Sequence, residues 1–261
     1  MKILELVKIP HNVKVGDTCG DIIPNITEDT LFIENNVIVG FYLKKMPENM
    51  LKIADLANKE LRSKNVPKSV MKRSSGFGDG NSEKEVLQYS TILGGVPPKP
   101  HMRRPYPTIS SVHNVKSAQT FIKAMLMLAN ESEKLIKKIA PNIWETQNKI
   151  FEQVPKEWKF GNLWTSSISN YNISAPFHKD NGNIENCVNV IIAKKSNAKG
   201  GNTTIPDYNA TVDSCDGSML VYPAWKNLHG VTPIIPTFEG GYRNSLVFYP
   251  LKAFLNKEQV L

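Results

Sequence analysis

Apolar spacing near the start of the chain predicts two strands followed by a helix. Apolar stretches at 30–34 and 36–44, separated by a turn-prone Asn-Asn pair, favour strands joined by a tight turn. Over 47–63 the apolar residues recur at three- and four-residue spacing, which is typical of a helix with one buried face. We expect this helix to cover a sheet.

A longer helical pattern follows in the middle of the chain. Ser117 is placed to cap this helix, and Pro141 is expected to end it. A shorter helix is expected over 142–153. The intervening stretch 66–115 is rich in proline and glycine, so we expect an extended, partly mobile segment there.

Strand periodicity replaces helical periodicity in the rest of the chain. Strands are predicted at 160–173, 187–194, 211–212, 218–222 and 244–249. Short strands separated by turn residues indicate a sandwich or a barrel. Helices followed by strands fit two domains, or one barrel with helices packed on one face.

The composition is that of a soluble globular protein with a sizeable core. The 261 residues are 41% hydrophobic and 21% charged. Lys and Arg number 32 against 24 Asp and Glu, which gives a net charge of +8. This charge favours a polyanionic partner such as nucleic acid but does not identify one.

The cysteines and the apolar runs indicate a cytoplasmic protein. Cys19, Cys187 and Cys215 are widely spaced, so they predict neither a disulfide framework nor a thiolate zinc site. No apolar run approaches the roughly 18 residues that a membrane helix needs, and the first ten residues do not read as a signal segment. We therefore expect no membrane association.

Two histidines and an aspartate carry the candidate chemistry. His178 and Asp180 are two positions apart at an expected strand end, so both side chains can project from one face. His229 follows later in the chain. Arg243 then opens a final apolar strand, on which Ser245 faces the same way.

This ligand set is the one that binds non-haem Fe(II). Two histidines and one carboxylate occupy one face of the metal and leave positions open for a co-substrate and oxygen. A His-x-Asp pair by itself arises often by chance. The order His-x-Asp, His and Arg-x-Ser makes a metal site the stronger interpretation.

At this point the sequence resembles the Fe(II)/2-oxoglutarate-dependent dioxygenases, over about 160–251. The resemblance implies an α+β fold with a double-stranded β-helix core (jelly-roll or cupin-like), buttressed by N-terminal helices. It also implies one dioxygenase domain over 1–261. In that domain 1–155 would supply strands, helices and substrate-binding loops, and 156–261 the core with the metal site.

The resemblance also assigns the cofactors. His178, Asp180 and His229 would hold Fe(II), with O2 as the oxidant. Arg243 would bind the distal carboxylate of 2-oxoglutarate through a planar, bidentate fork, and the Ser245 hydroxyl would add a donor.

Within this superfamily the chain is most similar to the TET/JBP group, the DNA 5-methylpyrimidine hydroxylases that include phage-encoded members. Asn183 stands where members use an asparagine beside the target base, and Tyr249 stands six positions after the arginine. Leu251 replaces a base-contacting histidine of the mammalian members. The resemblance implies 5-methylcytosine first and thymine second as the oxidised base, but Leu251 does not supply the contact that would favour 5-methylcytosine over thymine.

Basic residues upstream are candidates for the DNA contacts. Arg103 and Arg104 can meet phosphates, and Arg73 can reach 2-oxoglutarate as an upstream arginine does in family members. A solvated, proline-rich connector is the structural alternative for this stretch.

The implied function is hydroxylation of a pyrimidine methyl group in DNA, with the base extruded from the stack into a closed pocket. Two alternatives stay open. One is a 2-oxoglutarate-dependent hydroxylase of a protein side chain or small molecule, because one fold hosts many substrates. The other is a non-catalytic β-barrel binding module whose triad is accidental.

Overall fold

Two facing sheets and three helices form the described part of the chain. The structure, a computed structural model, describes residues 1–70, 87–99 and 104–255. The helices are α1 (Glu48–Arg62), α2 (Gln119–Ile139) and α3 (Pro141–Phe151). The strands are β1 (Lys2–Glu5), β2 (Thr30–Glu34), β3 (Val37–Leu43), β4 (Ser69–Val70), β5 (Tyr89–Val96), β6 (Thr108–Ile109), β7 (Ser166–Tyr171), β8 (Ala175–His178), β9 (Asn189–Ser196), β10 (Ala198–Gly200), β11 (Thr203–Ile205), β12 (Ala210–Val212), β13 (Met219–Tyr222), β14 (His229–Val231), β15 (Ile234–Pro236) and β16 (Tyr242–Tyr249).

The large sheet brings strands from both ends of the chain together. Over the described residues its order is β1-β2-β3-β13-β9-β16-β7-β5-β4, with β6 paired to β5. Its pairs are antiparallel except β1 with β2. β9 and β16, of eight residues each, lie side by side at its centre.

The small sheet has the order β12-β11-β14-β8 and packs on the large sheet. Phe32 and Leu220 of the large sheet share one apolar cluster with Ile205 and Val212 of the small sheet. β10 and β15 form a separate two-stranded ribbon. Two facing antiparallel sheets of this kind form a double-stranded β-helix core, which confirms the predicted α+β fold class.

The helices cover the other face of the large sheet. Phe121, Met125 and Leu128 of α2 lie in one buried cluster with Ile192 of β9 and Leu246 of β16. Each fully buried side chain of this size stabilises the fold by about 1.5–3 kcal/mol. The prediction of helices that buttress the core is confirmed. Over the described residues, no helix combines the length and apolarity that crossing a bilayer demands.

The start of α2 differs from the prediction. The helix begins at Gln119 after a short 3-10 turn, and its N-cap residue, Ala118, makes no side-chain capping bond. The Ser117 hydroxyl donates instead to the carbonyl oxygen of Asn65, at 2.8 Å. The predicted Ser117 cap is wrong because a contact distant in sequence takes the hydroxyl.

The described part of 66–115 is more ordered than the sequence predicts. β5 is largely buried and pairs with β7. A Cβ on Gly94 would lie 2.5 Å from the carbonyl oxygen of Thr165, and one on Gly95 would lie 2.5 Å from the Phe254 ring. These glycines permit close packing inside a strand. The expected segment was extended and partly mobile. β5 is extended, but it is a buried, paired strand, which the sequence analysis missed because the glycines were taken as turn signals.

Gly40 lets β3 pass close to β13. A Cβ at this position would lie 2.3 Å from the carbonyl oxygen of Val221, a backbone atom that moves only if β13 moves. We expect Gly40→Ala to lower the free energy of unfolding by about 1–3 kcal/mol, measured by urea denaturation. Gly20→Ala is the control, because a Cβ there meets nothing within 4 Å. Equal stability of the two variants would contradict the close approach.

Candidate active site

Two short strands of the small sheet place the histidines side by side. His178 ends β8 and His229 begins β14, and the two residues are cross-strand partners. Their ring centroids lie 4.3 Å apart. Asp180 follows β8 in a turn, where its backbone N–H donates to the carbonyl oxygen of Ala224 at 3.3 Å. The pairing of β8 with β14 therefore assembles a triad from residues far apart in sequence.

The ligand atoms of the triad converge. One atom from each of His178, Asp180 and His229 lies within 4.8 Å of the other two. Asp180 Oδ1 is 3.6 Å from His178 Nε2 and 3.9 Å from His229 Nε2. Three such groups can bind one face of a divalent metal ion.

Backbone carbonyls set the tautomer of both imidazoles. His178 Nδ1 donates to Pro176 at 2.7 Å, and His229 Nδ1 donates to Asn227 at 2.9 Å. Because a carbonyl can only accept, each proton lies on Nδ1 and each Nε2 keeps its lone pair. Burial lowers the pKa of His229, against the pull of the Asp180 carboxylate. The neutral form that metal ligation requires is thus favoured.

A large cavity extends from the triad between the two sheets. Its volume is about 1000 Å³. The large sheet contributes Ile168, Asn170, Asn189, Ile191, Arg243 and Ser245 to its wall. The small sheet contributes Ala175, His178, Thr203, His229 and Val231. The triad and the Arg-x-Ser pair, predicted separately, therefore share one cavity.

Arg243 is an unusual buried cation. It is 2% exposed, and burial lowers the pKa of its guanidinium to about 10, so it stays protonated at neutral pH. One Nη donates to Ser214 Oγ at 3.2 Å, whereas Nε has no partner among the described residues. The structure shows no ion pair between Arg243 and a described carboxylate. A buried guanidinium with a spare N–H in a cavity wall suits a carboxylate ligand.

The surroundings of Arg243 hold its side chain toward the cavity. Ser245 lies two positions later on β16, and its hydroxyl accepts a hydrogen bond from Asn170 Nδ2 at 3.3 Å. Gly201 has a φ of +71°, and a Cβ there would lie 2.9 Å from the Arg243 side chain. Glycine at this position leaves the space that the arginine occupies.

Several cavity residues were missed by the sequence analysis. Tyr222 lines the wall and packs edge-on against His229, with ring centroids 5.4 Å apart. Burial and the nearby Asp180 carboxylate raise the pKa of Tyr222 well above its ordinary value. Thr18 and Cys19 come from the first part of the chain, and Lys99 from the stretch after β5. Tyr222 stands at the end of the strand predicted over 218–222, which gave no sign of its place beside His229, and no pattern placed the other three in a cavity.

Other predicted contacts lie outside the cavity wall. Asn183 is buried and directs its amide at Asp180 Oδ2, 3.3 Å away. Tyr249 ends β16, and burial raises its pKa. Arg104 donates to the carbonyl oxygen of Pro97 at 2.9 Å, so part of its guanidinium is already bonded within the chain. Arg73 and Arg103 lie outside the described residues.

Comparison with known proteins agrees with this geometry. Residues 98–252, more than half of the chain, match the Tet/JBP family, the oxygenase domain of the 2OGFeDO superfamily. The solved structure of NgTET1 in complex with 5mC DNA has a TM-score of 0.60 at 13% identity, over 92% of this chain and 84% of that chain. A 2OG-Fe(II) oxygenase-family protein from Burkholderia pseudomallei has a TM-score of 0.45 at 14% identity, over 84% and 88%. The chain has no sequence match among curated proteins.

The family match includes the whole predicted motif. His178, Asp180, His229, Arg243 and Ser245 all lie within 98–252. The 2OGFeDO superfamily uses Fe(II), 2-oxoglutarate and O2, and the described residues provide a triad for the metal. The structural likeness to NgTET1 supports the fold. The chain therefore belongs to the Tet/JBP family of 2OGFeDO oxygenases, and it is an Fe(II)- and 2-oxoglutarate-dependent oxygenase.

Proposed function

We propose that this oxygenase hydroxylates the 5-methyl group of a pyrimidine in DNA, 5-methylcytosine first and thymine second. The observation that carries the proposal is one cavity of about 1000 Å³ that holds both the triad and a buried arginine. Small-molecule sites span about 300–1,000 Å³. A cavity of this size has room for a co-substrate and an extruded base together.

The triad supplies the metal site in this proposal. His178, Asp180 and His229 would hold Fe(II), the two histidines through Nε2 and the aspartate through Oδ1. When bound, Fe(II) with 2-oxoglutarate and O2 supplies the chemistry that inserts oxygen into a C–H bond. The chain has to hold the ligand atoms and exclude water.

Arg243 and Ser245 select the co-substrate. Arg243 lines the cavity and its Nε has no partner among the described residues, so the guanidinium can take an acceptor, which the distal carboxylate of 2-oxoglutarate would supply. The Ser245 hydroxyl already accepts from Asn170, so its own proton is free to donate to the same carboxylate. This pair would orient the co-substrate through its distal carboxylate.

Apolar side chains give the cavity the surface that a methyl group requires. Ile168, Ile191 and Val247 of the large sheet and Val231 of the small sheet line the cavity. A wall of this kind favours a methyl group over water. It thereby limits side reactions of the oxidising metal with solvent.

Three observations support DNA as the substrate, whose methylated base would have to leave the stack to reach such a cavity. The net charge of +8 suits a phosphate backbone, and Lys99 places one cation in the cavity wall. The NgTET1 structure contains 5mC DNA. In our proposal Arg73, Arg103 and Arg104 contact the backbone or co-substrate, and Tyr249, although outside the described cavity wall, stays a candidate for a contact with the base.

Oxidation of defined duplexes tests the proposal. Two duplexes of the same sequence, one with cytosine and the other with 5-methylcytosine at the test positions, would be incubated with the protein, Fe(II), 2-oxoglutarate and ascorbate. Nucleoside mass spectrometry then identifies the products. We expect 5-hydroxymethylcytosine from the methylated duplex alone, and smaller amounts of 5-hydroxymethyluracil from thymine in both.

Omission of 2-oxoglutarate is the matched control and should abolish both products. Succinate formation without any oxidised nucleoside would contradict a DNA substrate and favour a protein side chain or small molecule. Absence of both succinate and oxidised nucleoside would contradict the proposal as a whole.

A further inference from the structure

The two oxygens of Asp180 have different surroundings. Oδ1 faces the Nε2 atoms of both histidines, at 3.6 and 3.9 Å. Oδ2 accepts hydrogen bonds from Asn189 Nδ2 at 2.9 Å and from Asn183 Nδ2 at 3.3 Å. One oxygen is therefore presented to the metal position, and the other is bound to amides.

The two amides also bind each other. Asn183 Nδ2 donates to Asn189 Oδ1 at 2.8 Å, so Asp180, Asn183 and Asn189 form a closed triangle of hydrogen bonds. An ionised carboxylate can only accept, which fixes the orientation of both amide groups. Asn183 is 4% and Asn189 3% exposed, so water does not replace these bonds freely.

Both asparagines are anchored to the large sheet, whereas Asp180 follows a strand of the small sheet. Asn189 opens β9 and pairs with Tyr222 of β13. Asn183 forms a backbone bridge with Leu251, just after β16. Its own N–H donates to the carbonyl oxygen of Asp180 at 2.9 Å. The triangle thus ties a ligand on one sheet to fixed points on the other.

We propose that Asn183 and Asn189 are positioning residues that hold Asp180 as a one-oxygen metal ligand. With Oδ2 held by two donors, Asp180 would offer a bound metal only Oδ1, which would leave a further coordination position for the co-substrate or oxygen. Partners that orient a ligand in this way contribute about 10- to 100-fold to metal affinity. The proposal concerns the metal site and holds whichever substrate the enzyme oxidises.

This role differs from the one that the family resemblance implies for Asn183. A residue beside the target base would present its amide to the cavity, but Asn183 is absent from the described cavity wall. Both hydrogen bonds described for its Nδ2 stay inside the triangle. The Nδ2 bonds of Asn183 therefore hold Asp180, whether or not Asn183 Oδ1 meets a base.

Metal titration without DNA or 2-oxoglutarate tests the proposal. The dissociation constant for Mn(II) would be measured by electron paramagnetic resonance for the wild type, Asn189→Leu and Asn183→Ala. We expect each substitution to weaken Mn(II) binding by about 10- to 100-fold. Because both amides bind one oxygen, the double variant should lose less than the two single effects combined.

Asn58→Leu is the matched control. Asn58 is also buried and donates to the Tyr242 hydroxyl at 3.0 Å, outside the triad. Asn58→Leu should lower the free energy of unfolding measured in urea but leave the dissociation constant for Mn(II) within about twofold of the wild-type value. If Asn189→Leu does not fold, Asn183→Ala, which alters a turn and not a strand, still decides the matter.

Wild-type Mn(II) affinity in folded Asn183→Ala would overturn the proposal, and a raised KM for methylated DNA in that variant would then favour a base contact. Wild-type Mn(II) affinity in folded Asn189→Leu would also overturn it. Failure of the wild type to oxidise DNA changes neither outcome, because the titration contains no DNA.

Discussion

Asp180→Ala is expected to lose methyl oxidation and metal binding together. Asp180 supplies the charged ligand atom of the triad, and His178 and His229 contribute only neutral nitrogens. The loss should exceed the about 100-fold that removal of an outer contact costs, because a direct ligand is removed. Both the oxidised nucleoside yield and the Mn(II) dissociation constant would be measured.

Asp207→Ala is the matched control for this variant. Its carboxylate binds His11 at 2.8 Å and has no contact with the triad. We expect wild-type oxidation and wild-type Mn(II) affinity. Full activity in Asp180→Ala would show that the metal is held elsewhere and would overturn the ligand assignment.

The helices were predictable because their signal is local. Apolar residues at three- and four-residue spacing placed α1 and α3 to within about two residues, since one face of each helix is buried. The predicted cap at Ser117 failed where a residue distant in sequence intervened. A hydroxyl can cap a helix or bind a remote carbonyl, and the sequence does not distinguish these uses.

The sheet was less predictable because pairing is set by tertiary contacts. β8 and β14 contain four and three residues, which is too short for a clear alternation of apolar and polar positions. Each is defined by its pairing, with His229 opposite His178. Motif order along the chain identified both histidines before either strand could be recognised.

The residues of the site also divide into those with a local sequence signal and those that only tertiary contacts bring together. His178, Asp180 and Arg243 stand in motifs with a recognisable order, and the structure places them around one cavity. Thr18 and Lys99 reach that cavity only through the path of the folded chain. Residues of this kind carry no local pattern, so substrate contacts are harder to predict than metal ligands.

Arg243→Ala is expected to raise the KM for 2-oxoglutarate by about 10²- to 10³-fold. The bound co-substrate would keep a buried carboxylate without its cation, and breaking a buried ion pair costs about 3–5 kcal/mol. Arg243→Lys should fall between wild type and alanine, because it keeps the charge but loses the planar fork. The KM would be measured from succinate formation at varied 2-oxoglutarate.

A second measurement separates lost binding from lost folding. Without co-substrate, Arg243 is a buried charge with an unpaired Nε. Arg243→Ala should therefore lower the free energy of unfolding by less than it lowers the binding free energy of 2-oxoglutarate. 2-Oxoglutarate should raise the Tm of the metal-loaded wild type but not that of Arg243→Ala, because a ligand stabilises only the state that binds it. Arg62→Ala is the control, since Arg62 stacks on Tyr242 outside the cavity and its loss should leave the KM unchanged. An unchanged KM in Arg243→Ala would mean that a different cation holds the distal carboxylate.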